Sequence, residues 1–260
     1  MKISKFISVI AGIFALCLPA MAQTQWQGAK VAILGDSISD PIRVGTGKCW
    51  WEFLAEFMDM QTVSYAVNGA KMSQLPAQAL KVDDSFDAII ILAGTNDFFH
   101  DVPMGEWFTE TVDSVNTNGM MTPKLHRHFN FDSETFCGRC NILMQQLRTA
   151  FPTKQIILMT PLHRAYARFG ARNVQPDEMY ANFLGLYIED YAAAIRRCGQ
   201  IWSAPVIDLY SESGLMPVLD EHTRYFSNAE RDRLHPGTEG HLRMAKTIQY
   251  HLLSLPCKFQ

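Results

Sequence analysis

The sequence predicts an α/β fold, a three-layer α/β/α sandwich built around a five-stranded parallel sheet. Five apolar segments rich in β-branched residues occur along the chain, and each ends in turn-forming residues. Two of them, residues 89–92 and 156–159, are apolar without interruption, which indicates strands covered on both faces. Segments of helical period separate the apolar ones. This alternation favours parallel strands joined by crossover helices.

The predicted elements follow one another in a regular order. The strands are predicted at residues 30–34, 62–67, 88–93, 155–160 and 205–209. The helices are predicted at residues 48–60, 72–81, 133–151, 176–198 and 238–253. Thr238 is expected to be the N-cap of the last helix, because it follows the turn residues Pro236 and Gly237.

Residues 97–132 depart from this rhythm. They are rich in turn-forming residues, and we predict one short helix at 104–112 and no strand. A connection of this length inside a compact domain is typically functional or mobile. Because it begins directly after the strand at 88–93, we expect it to lie over any site at that strand end.

The first 22 residues read as an export signal. Lys2 and Lys5 form a charged start, an apolar core at residues 6–18 follows, and Ala20-Met21-Ala22 matches a cleavage site. The core is shorter than the ~20 residues that a spanning helix needs, so no stable membrane insertion is expected. We therefore predict cleavage after Ala22, a secreted or periplasmic protein, and a single domain at residues 23–260.

The net charge and the cysteine content limit the range of functions that the sequence allows. The net charge of −3 gives no basic surface for nucleic acid. Of the six cysteines, Cys17 would leave with the signal, and an odd number would remain. Cys137 and Cys140 begin a predicted helix and lack a second ligand pair for zinc, so we interpret them as structural, with a local disulfide as one option. The pairing of Cys49, Cys198 and Cys257 stays open.

Ser37 is the residue that suggests chemistry. It ends the run Val31-Ala32-Ile33-Leu34-Gly35-Asp36-Ser37, so a hydroxyl is placed at the carboxyl end of a buried strand, where α/β sheets bind ligands. Three later segments accompany it: Asn68-Gly69-Ala70, Gly94-Thr95-Asn96-Asp97, and Asp232-Arg233-Leu234-His235-Pro236-Gly237. In this order they resemble the sequence blocks of the SGNH (GDSL-type) hydrolases, a family of serine esterases. The resemblance implies the flavodoxin-like strand order 2-1-3-4-5.

A catalytic triad is the main prediction. A serine hydroxyl needs a base to remove its proton during attack, and His235 is the candidate base. Asp232, three residues earlier, is expected to accept a hydrogen bond from the other imidazole nitrogen and fix the tautomer. The family resemblance assigns the oxyanion hole to the backbone N–H groups of Ser37 and Gly69 and to the side-chain amide of Asn96. No metal ligand is assigned and no cofactor is expected, although Asp232, His235 and His241 form an alternative metal set.

Substrate contacts are less evident in the sequence. His163 and Arg164 follow the fourth predicted strand and are candidates for the rim of the site, and Trp107 is a candidate aromatic contact. His126 and His128 are expected to face solvent. The predicted function is a secreted serine esterase that forms an acyl-enzyme, with short acyl groups, such as acetyl, on carbohydrate as the favoured substrate.

Several other functions remain open at this stage. Within the same family they are a lipid acylhydrolase or lysophospholipase and a thioesterase. Outside it they are a catalytically silent carbohydrate-binding protein and a metal-dependent hydrolase. The expected partner is a small-molecule or glycan ester, and the sequence gives no prediction of the oligomeric state.

Overall fold

The computed structural model describes residues 24–259. The predicted signal peptide and Cys17 lie outside the described residues. The strands are β1 Lys30–Gly35, β2 Gln61–Ser64, β3 Ala88–Leu92, β4 Phe108–Thr117, β5 Met120–Phe129, β6 Gln155–Met159, β7 Ala167–Gly170, β8 Asn173–Gln175, β9 Val206–Ile207, β10 Phe226–Asn228 and β11 Asp232–Pro236. The α-helices are α1 Trp50–Met58, α2 Leu75–Ala79, α3 Thr95–Phe99, α4 Phe136–Ala150, α5 Ile188–Trp202, α6 Leu209–Glu212 and α7 Thr238–Leu253. Two 3-10 helices, Met72–Gln74 and Asp220–Tyr225, complete the list.

The central sheet has five parallel strands in the order β2-β1-β3-β6-β9, which confirms the predicted fold class and the flavodoxin-like order. Successive side chains of a strand point to opposite faces. Ala32 and Leu34 of β1 accordingly pack against α2, α4 and α5, whereas Val31 and Ile33 pack against α1 and α7. The sheet is thus covered on both sides, and the carboxyl ends of its strands meet along one edge.

The segment at 97–132 differs from the prediction. Residues 104–112 do not form a helix; β4 and β5 form a two-stranded antiparallel hairpin with ten paired positions. Asn118 and Gly119 join the strands with φ of 53° and 85°, and such residues favour tight hairpin turns. The base of the hairpin packs on α5, where Phe129 stacks on Trp202 with ring centroids 4.5 Å apart. The hairpin therefore lies against the α4–α5 layer and does not line the predicted site.

The predicted helix at 176–198 begins later than expected. Its helical part is α5, which starts at Ile188, while residues 176–187 form a loop. The Asn182 carboxamide accepts hydrogen bonds from the backbone N–H groups of Leu184 and Leu186, and Gly185 has a φ of 77°. These side-chain bonds compete with helical backbone bonds and hold a turn.

The structure contains a second sheet that the sequence analysis did not predict. It is antiparallel, in the order β10-β11-β7-β8, and its strand β11 runs from Asp232 to Pro236. The N-cap of α7 is Gly237, not Thr238, because Thr238 is the first helical residue and its hydroxyl accepts the N–H of Gly47. This small sheet places Asp232 and His235 beside the edge of the central sheet.

The structure does not contain the local disulfide that was one option for Cys137 and Cys140. Cys137 and Cys140 are free thiols rather than a local disulfide, because both lie on α4 and point into the core. Cys49, Cys198 and Cys257 are likewise free and buried. Within residues 24–259, none of the helices combines the length and the apolar character required to cross a membrane.

Candidate active site

Three neighbouring strands each end in a residue of the predicted site. Ser37 follows β1, Gly69 follows β2 and Asn96 lies in the first turn after β3. These strands are adjacent in the central sheet, so their carboxyl ends open into one cleft of about 460 Å³. His235 lines the same cleft from β11. The structure therefore brings together residues that are up to 198 positions apart in the chain.

Ser37, His235 and Asp232 form a continuous chain of hydrogen bonds. The Oγ of Ser37 lies 2.9 Å from Nε2 of His235, and Nδ1 of His235 lies 2.9 Å from Oδ2 of Asp232. All three residues are buried, with at most 8% of their surface exposed. Geometry of this kind lets an imidazole take the hydroxyl proton while a carboxylate stabilises the resulting imidazolium.

Asp232 is held by further donors. Its Oδ1 accepts the backbone N–H groups of Leu234 and His235, at 3.1 and 3.0 Å, and its Oδ2 accepts the hydroxyl of Ser227 at 2.6 Å. Burial alone would raise the pKa of Asp232. The hydrogen bonds and the charge of His235, together with the hydrogen bond from the Ser227 hydroxyl, have the larger effect and hold this pKa below its ordinary value. Asp232 is therefore an ionised acceptor that keeps the ring of His235 in a single orientation.

The proposed oxyanion donors are available for a ligand. Among residues 24–259, no protein atom accepts a hydrogen bond from the backbone N–H of Ser37 or Gly69. The Nδ2 of Asn96 donates to the carbonyl of Ala70 at 3.1 Å, which orients the amide and leaves its second N–H for the cleft. Gly69 has a φ of 77°, a conformation that other residues adopt only with strain. Gly69 lines the cleft in this conformation.

We predict that Asn96→Ala lowers kcat by about 10²–10³-fold, the usual effect of losing one oxyanion donor, while KM changes little. The measurement is steady-state hydrolysis of p-nitrophenyl acetate. Asn68→Ala is the matched control, because Asn68 lines the same cleft but is not one of the three donors. An Asn96→Ala enzyme as active as the Asn68→Ala enzyme would remove Asn96 from the oxyanion hole.

Asp36 and Asp97 are next to the site residues in the sequence, and their carboxylates accept hydrogen bonds from the surrounding segments. The Oδ1 of Asp36 accepts the backbone N–H of Ile38 at 3.1 Å. Asp97 accepts the N–H of Met72 at 2.8 Å and Nη1 of Arg139 at 3.0 Å, and so joins three segments. Burial raises the pKa of Asp36 to about 7. Burial also raises the pKa of Asp97, against its hydrogen bonds to Met72 and Arg139.

The raised pKa of Asp36 predicts a pH-dependent effect of Asp36→Asn on stability. The folded chain holds this proton up to about pH 7, whereas the ordinary pKa of an aspartate carboxyl is 3.8. The native state therefore binds more protons across this window, and its stability falls as pH rises through it. Asparagine keeps an acceptor for Ile38 without the charge. We expect Asp36→Asn to raise the melting temperature at pH 8 and to leave it unchanged at pH 3.5; an equal shift at both values would contradict this.

The predicted substrate contacts lie elsewhere. His163 is half-buried, and its Nδ1 lies 2.7 Å from Oε1 of Glu178. Arg164 is 1% exposed, donates to Thr95 of α3 and to Gln175 of β8, and lines a second groove beside the cleft. Trp107 packs against the core near α4, and its carbonyl accepts the amide of Asn141. None of the three lines the cleft that contains Ser37.

Other residues line the cleft instead. They are Val44, Asn68, Phe99, His100, Phe169, Arg172, Asn173, Gln175 and Leu234. Four of them come from β7, β8 and the turn between these strands, a part of the second sheet that the sequence pattern did not indicate. The ring of Phe169 lies 5.3 Å from that of His235. The turn-forming Gly170 was a local signal for this hairpin.

Asp232, His235 and His241, the alternative metal ligands suggested by the sequence, do not form a metal site in the described part of the chain. The Nδ1 of His241 accepts the backbone N–H of Trp50 at 3.2 Å, so this ring is engaged with α1. Burial lowers the pKa of His241 to about 3, which keeps it neutral. Asp232, His235 and His241 do not converge on one point within the described part of the chain.

The sequence profile of the GDSL-like lipase/acylhydrolase family matches residues 33–243, which include all four blocks around the cleft. The chain belongs to the GDSL-like lipase/acylhydrolase family. This GDSL-like chain is therefore a hydrolase of the esterase and lipase class. No curated protein matches it in sequence.

Solved structures share the fold of this GDSL-like hydrolase. A protein from Lactobacillus plantarum has a TM-score of 0.70 at 22% identity, with 88% of this chain and 98% of the other covered. A possible lipase from Chitinophaga pinensis has a TM-score of 0.64 at 20% identity, with 87% and 99% covered. A variant of an acetyl xylan esterase from Geobacillus stearothermophilus has a TM-score of 0.54 at 16% identity, with 87% and 95% covered.

Proposed function

We propose that this GDSL-like hydrolase is an exported serine esterase that removes short acyl groups, such as acetyl, from carbohydrate through an acyl-enzyme. The observation that carries the proposal is the hydrogen-bond chain Ser37–His235–Asp232, which opens into the cleft beside the N–H groups of Ser37 and Gly69 and the amide of Asn96. Nucleophile, base, orienting carboxylate and oxyanion donors are then all present at one point.

The first half of the reaction acylates Ser37. The Oγ of Ser37 bonds to the ester carbonyl carbon as Nε2 of His235 takes its proton, and Asp232 stabilises the imidazolium. The carbonyl oxygen gains negative charge, which the Ser37 and Gly69 N–H groups and Asn96 bind. His235 then returns the proton to the alcohol oxygen as the carbon–oxygen bond to the alcohol breaks. The acyl group remains as an ester on Ser37.

The second half releases the acid. Water enters the position of the departed alcohol and gives a proton to Nε2 of His235 as its oxygen bonds to the acyl carbon. The same three donors bind the second oxyanion. The intermediate collapses, His235 returns the proton to Oγ of Ser37, and the free acid leaves. All protons and electron pairs are accounted for by these residues and water.

The residues around the mouth of the cleft support a polar alcohol. Asn68, His100, Arg172, Asn173 and Gln175 line it together with the catalytic groups. Sugar hydroxyls can satisfy such donors and acceptors, whereas a long acyl chain would desolvate them without giving hydrogen bonds in return. The fold also occurs in an acetyl xylan esterase, so it accommodates acetylated carbohydrate in that protein.

A second groove adjoins the catalytic cleft and shares Phe99 and His100 with it. Tyr180 and Phe183 line this groove and are 63% and 97% exposed. Exposed aromatic rings beside a cleft that carries both polar and apolar side chains suit the apolar faces of sugar rings. We infer that the sugar chain of the substrate extends along these rings while its ester enters the cleft.

The test compares alcohols and acyl lengths in the same enzyme. Hydrolysis is measured for p-nitrophenyl esters from acetyl to palmitoyl and for an acetylated oligosaccharide, with Ser37→Ala as the control and with a chelator in parallel. We expect activity on the short esters and the acetylated sugar, and none in Ser37→Ala. A preference for palmitoyl esters would favour a lipid acylhydrolase, and inactivity on every ester with retained sugar binding would favour a silent binding protein.

We predict that Tyr180→Ala raises KM for the acetylated oligosaccharide several-fold without changing kcat/KM for p-nitrophenyl acetate. The loss of one stacked ring is worth about 0.5–1.5 kcal/mol, and the small ester does not reach the second groove. Tyr250→Ala is the control, since Tyr250 is 72% exposed and lies on α7, outside both grooves. Equal effects on the two substrates would contradict the assignment of the groove to the sugar.

Export rests on the N-terminal pattern of Lys2, Lys5, the apolar core and Ala20-Met21-Ala22. Expression of the complete chain in a bacterium with a Sec pathway, followed by intact-mass analysis of the secreted and periplasmic fractions, tests it. A mature protein beginning at Gln23 is expected. Full-length protein retained in the cytoplasm would contradict it.

A further inference from the structure

The hairpin of β4 and β5 carries two histidines and a carboxylate on one face. His126 and His128 alternate along β5, so both side chains point to the same side. His126 pairs with Thr111 of β4, and Asp113 lies two residues further along that strand on the same face. The three side chains are exposed, so an ion from solvent can reach them.

The three groups converge within ligand distance of one point. Oδ2 of Asp113 lies 2.6 Å from Nδ1 of His126 and 3.6 Å from Nε2 of His128. The two imidazole centroids are 4.1 Å apart, and one ligand atom of each residue lies within 4.8 Å of the others. Metal–ligand bonds of about 2.0–2.1 Å at tetrahedral angles separate ligands by about 3.3 Å, so small side-chain rotations would complete the arrangement.

The backbone beneath this cluster is well defined. Ten consecutive cross-strand pairs set the register of β4 and β5, and Phe108 and Phe129 at their base lie 5.3 Å apart. Phe129 in turn stacks on Trp202. Within residues 24–259 this is the only group of three or more His, Cys, Asp or Glu side chains with such geometry.

We propose that Asp113, His126 and His128 bind a divalent transition-metal ion, with Zn²⁺ as the principal candidate, at a site separate from the esterase cleft. Imidazole nitrogens select Zn²⁺, Cu²⁺ or Ni²⁺ over Mg²⁺ and Ca²⁺, which prefer oxygen ligands. Three protein ligands leave one tetrahedral position for water. The bound ion joins β4 to β5, and its binding displaces the proton that His126 and Asp113 share.

One neighbouring positive charge should repel the bound cation. Lys124 lies directly opposite Asp113 and is the one lysine or arginine on this face of the hairpin. Glu110 and Arg127 form an ion pair on the opposite face. Protons compete with the ion for the ligand atoms, so affinity should be lower in acid than at pH 7.5.

The experiment is calorimetric titration of Zn²⁺ into tag-free, chelator-treated mature protein at pH 7.5. One ion per chain is expected. His126→Gln, His128→Gln and Asp113→Asn each remove a ligand and should weaken binding by more than the about 10–100-fold typical of changes around a metal site. Glu110→Gln is the matched control on the other face, and it should leave the affinity unchanged. Lys124→Gln should strengthen binding.

A second measurement identifies the ligands directly. Cu²⁺ added at one equivalent should give an electron paramagnetic resonance spectrum with coupling to imidazole nitrogens, and this coupling should disappear in the His126→Gln/His128→Gln double variant. Circular dichroism checks that each variant is folded. The proposal fails if Zn²⁺ does not bind, or if the three ligand variants bind it as tightly as Glu110→Gln. Ester hydrolysis should be the same with and without Zn²⁺, so this result is independent of the proposed esterase function.

Discussion

Ser37→Ala is expected to lower kcat for ester hydrolysis by about 10⁴-fold or more, as happens when a nucleophile that acts in a triad is removed. The Oγ of Ser37 is the atom that Nε2 of His235 contacts at 2.9 Å, and an alanine leaves the base without a nucleophile to activate. The measurement is kcat for p-nitrophenyl acetate in highly purified wild-type and variant protein. Ser39→Ala is the control, since Ser39 is buried nearby but bonds to Trp50.

Because the members of a triad act as a unit, substitutions at Ser37 and His235 should not have additive effects. His235→Ala should cost about as much as Ser37→Ala, and the double variant should be no worse than either single one. Independent contributions would instead multiply. A Ser37→Ala enzyme with wild-type kcat, or strictly multiplicative losses, would contradict the nucleophilic mechanism.

Asp232→Asn is expected to reduce kcat by about 10⁴-fold with little change in KM. The asparagine amide can present a donor where the carboxylate accepted from Nδ1 of His235, so the imidazole would favour the tautomer that cannot take a proton from Ser37. The low pKa of Asp232 indicates that the wild-type side chain is ionised throughout the neutral range. Kinetics with p-nitrophenyl acetate measure the effect.

Ser227→Ala is the companion variant for Asp232. It removes one hydrogen bond to Oδ2 of Asp232 while the contacts of Leu234 and His235 remain. A single neutral hydrogen bond contributes about 0.5–1.5 kcal/mol, so kcat should fall by no more than about tenfold. If Asp232→Asn had an effect as small as Ser227→Ala, Asp232 would not be orienting His235.

The central sheet and the cleft residues at its strand ends, Ser37, Gly69 and Asn96, could be predicted because their sequence signals are local. The apolar runs that became β1, β3 and β6 are buried on both faces, so their composition alone distinguishes them. Ser37 and Asn96 line one cleft because each follows such a run within a few residues. Parallel topology then brings strand ends to one edge, whatever the intervening sequence.

The remaining parts depend on weaker or competing signals. The β4–β5 hairpin is exposed on both faces, so it lacks the buried stripe that identifies a strand, and only Asn118-Gly119 marked its turn. Strands β7 and β8 have four and three residues, too short for a period to emerge. Arg164 follows a strand end, where a rim residue would be expected, yet its Nη1 and Nη2 donate to Thr95 and Gln175 in the interior. Such partners depend on tertiary contacts.

The most direct measurement of the central claim is covalent labelling of the folded protein with a fluorophosphonate, followed by intact mass and peptide mapping. The account predicts one adduct per chain, on Ser37, absent in Ser37→Ala and much slower to form in Asp232→Asn. Heat-denatured wild-type protein should remain unlabelled, because the hydroxyl then has no base. An adduct on any other residue, or wild-type rates of labelling without Ser37, would contradict Ser37 as the nucleophile.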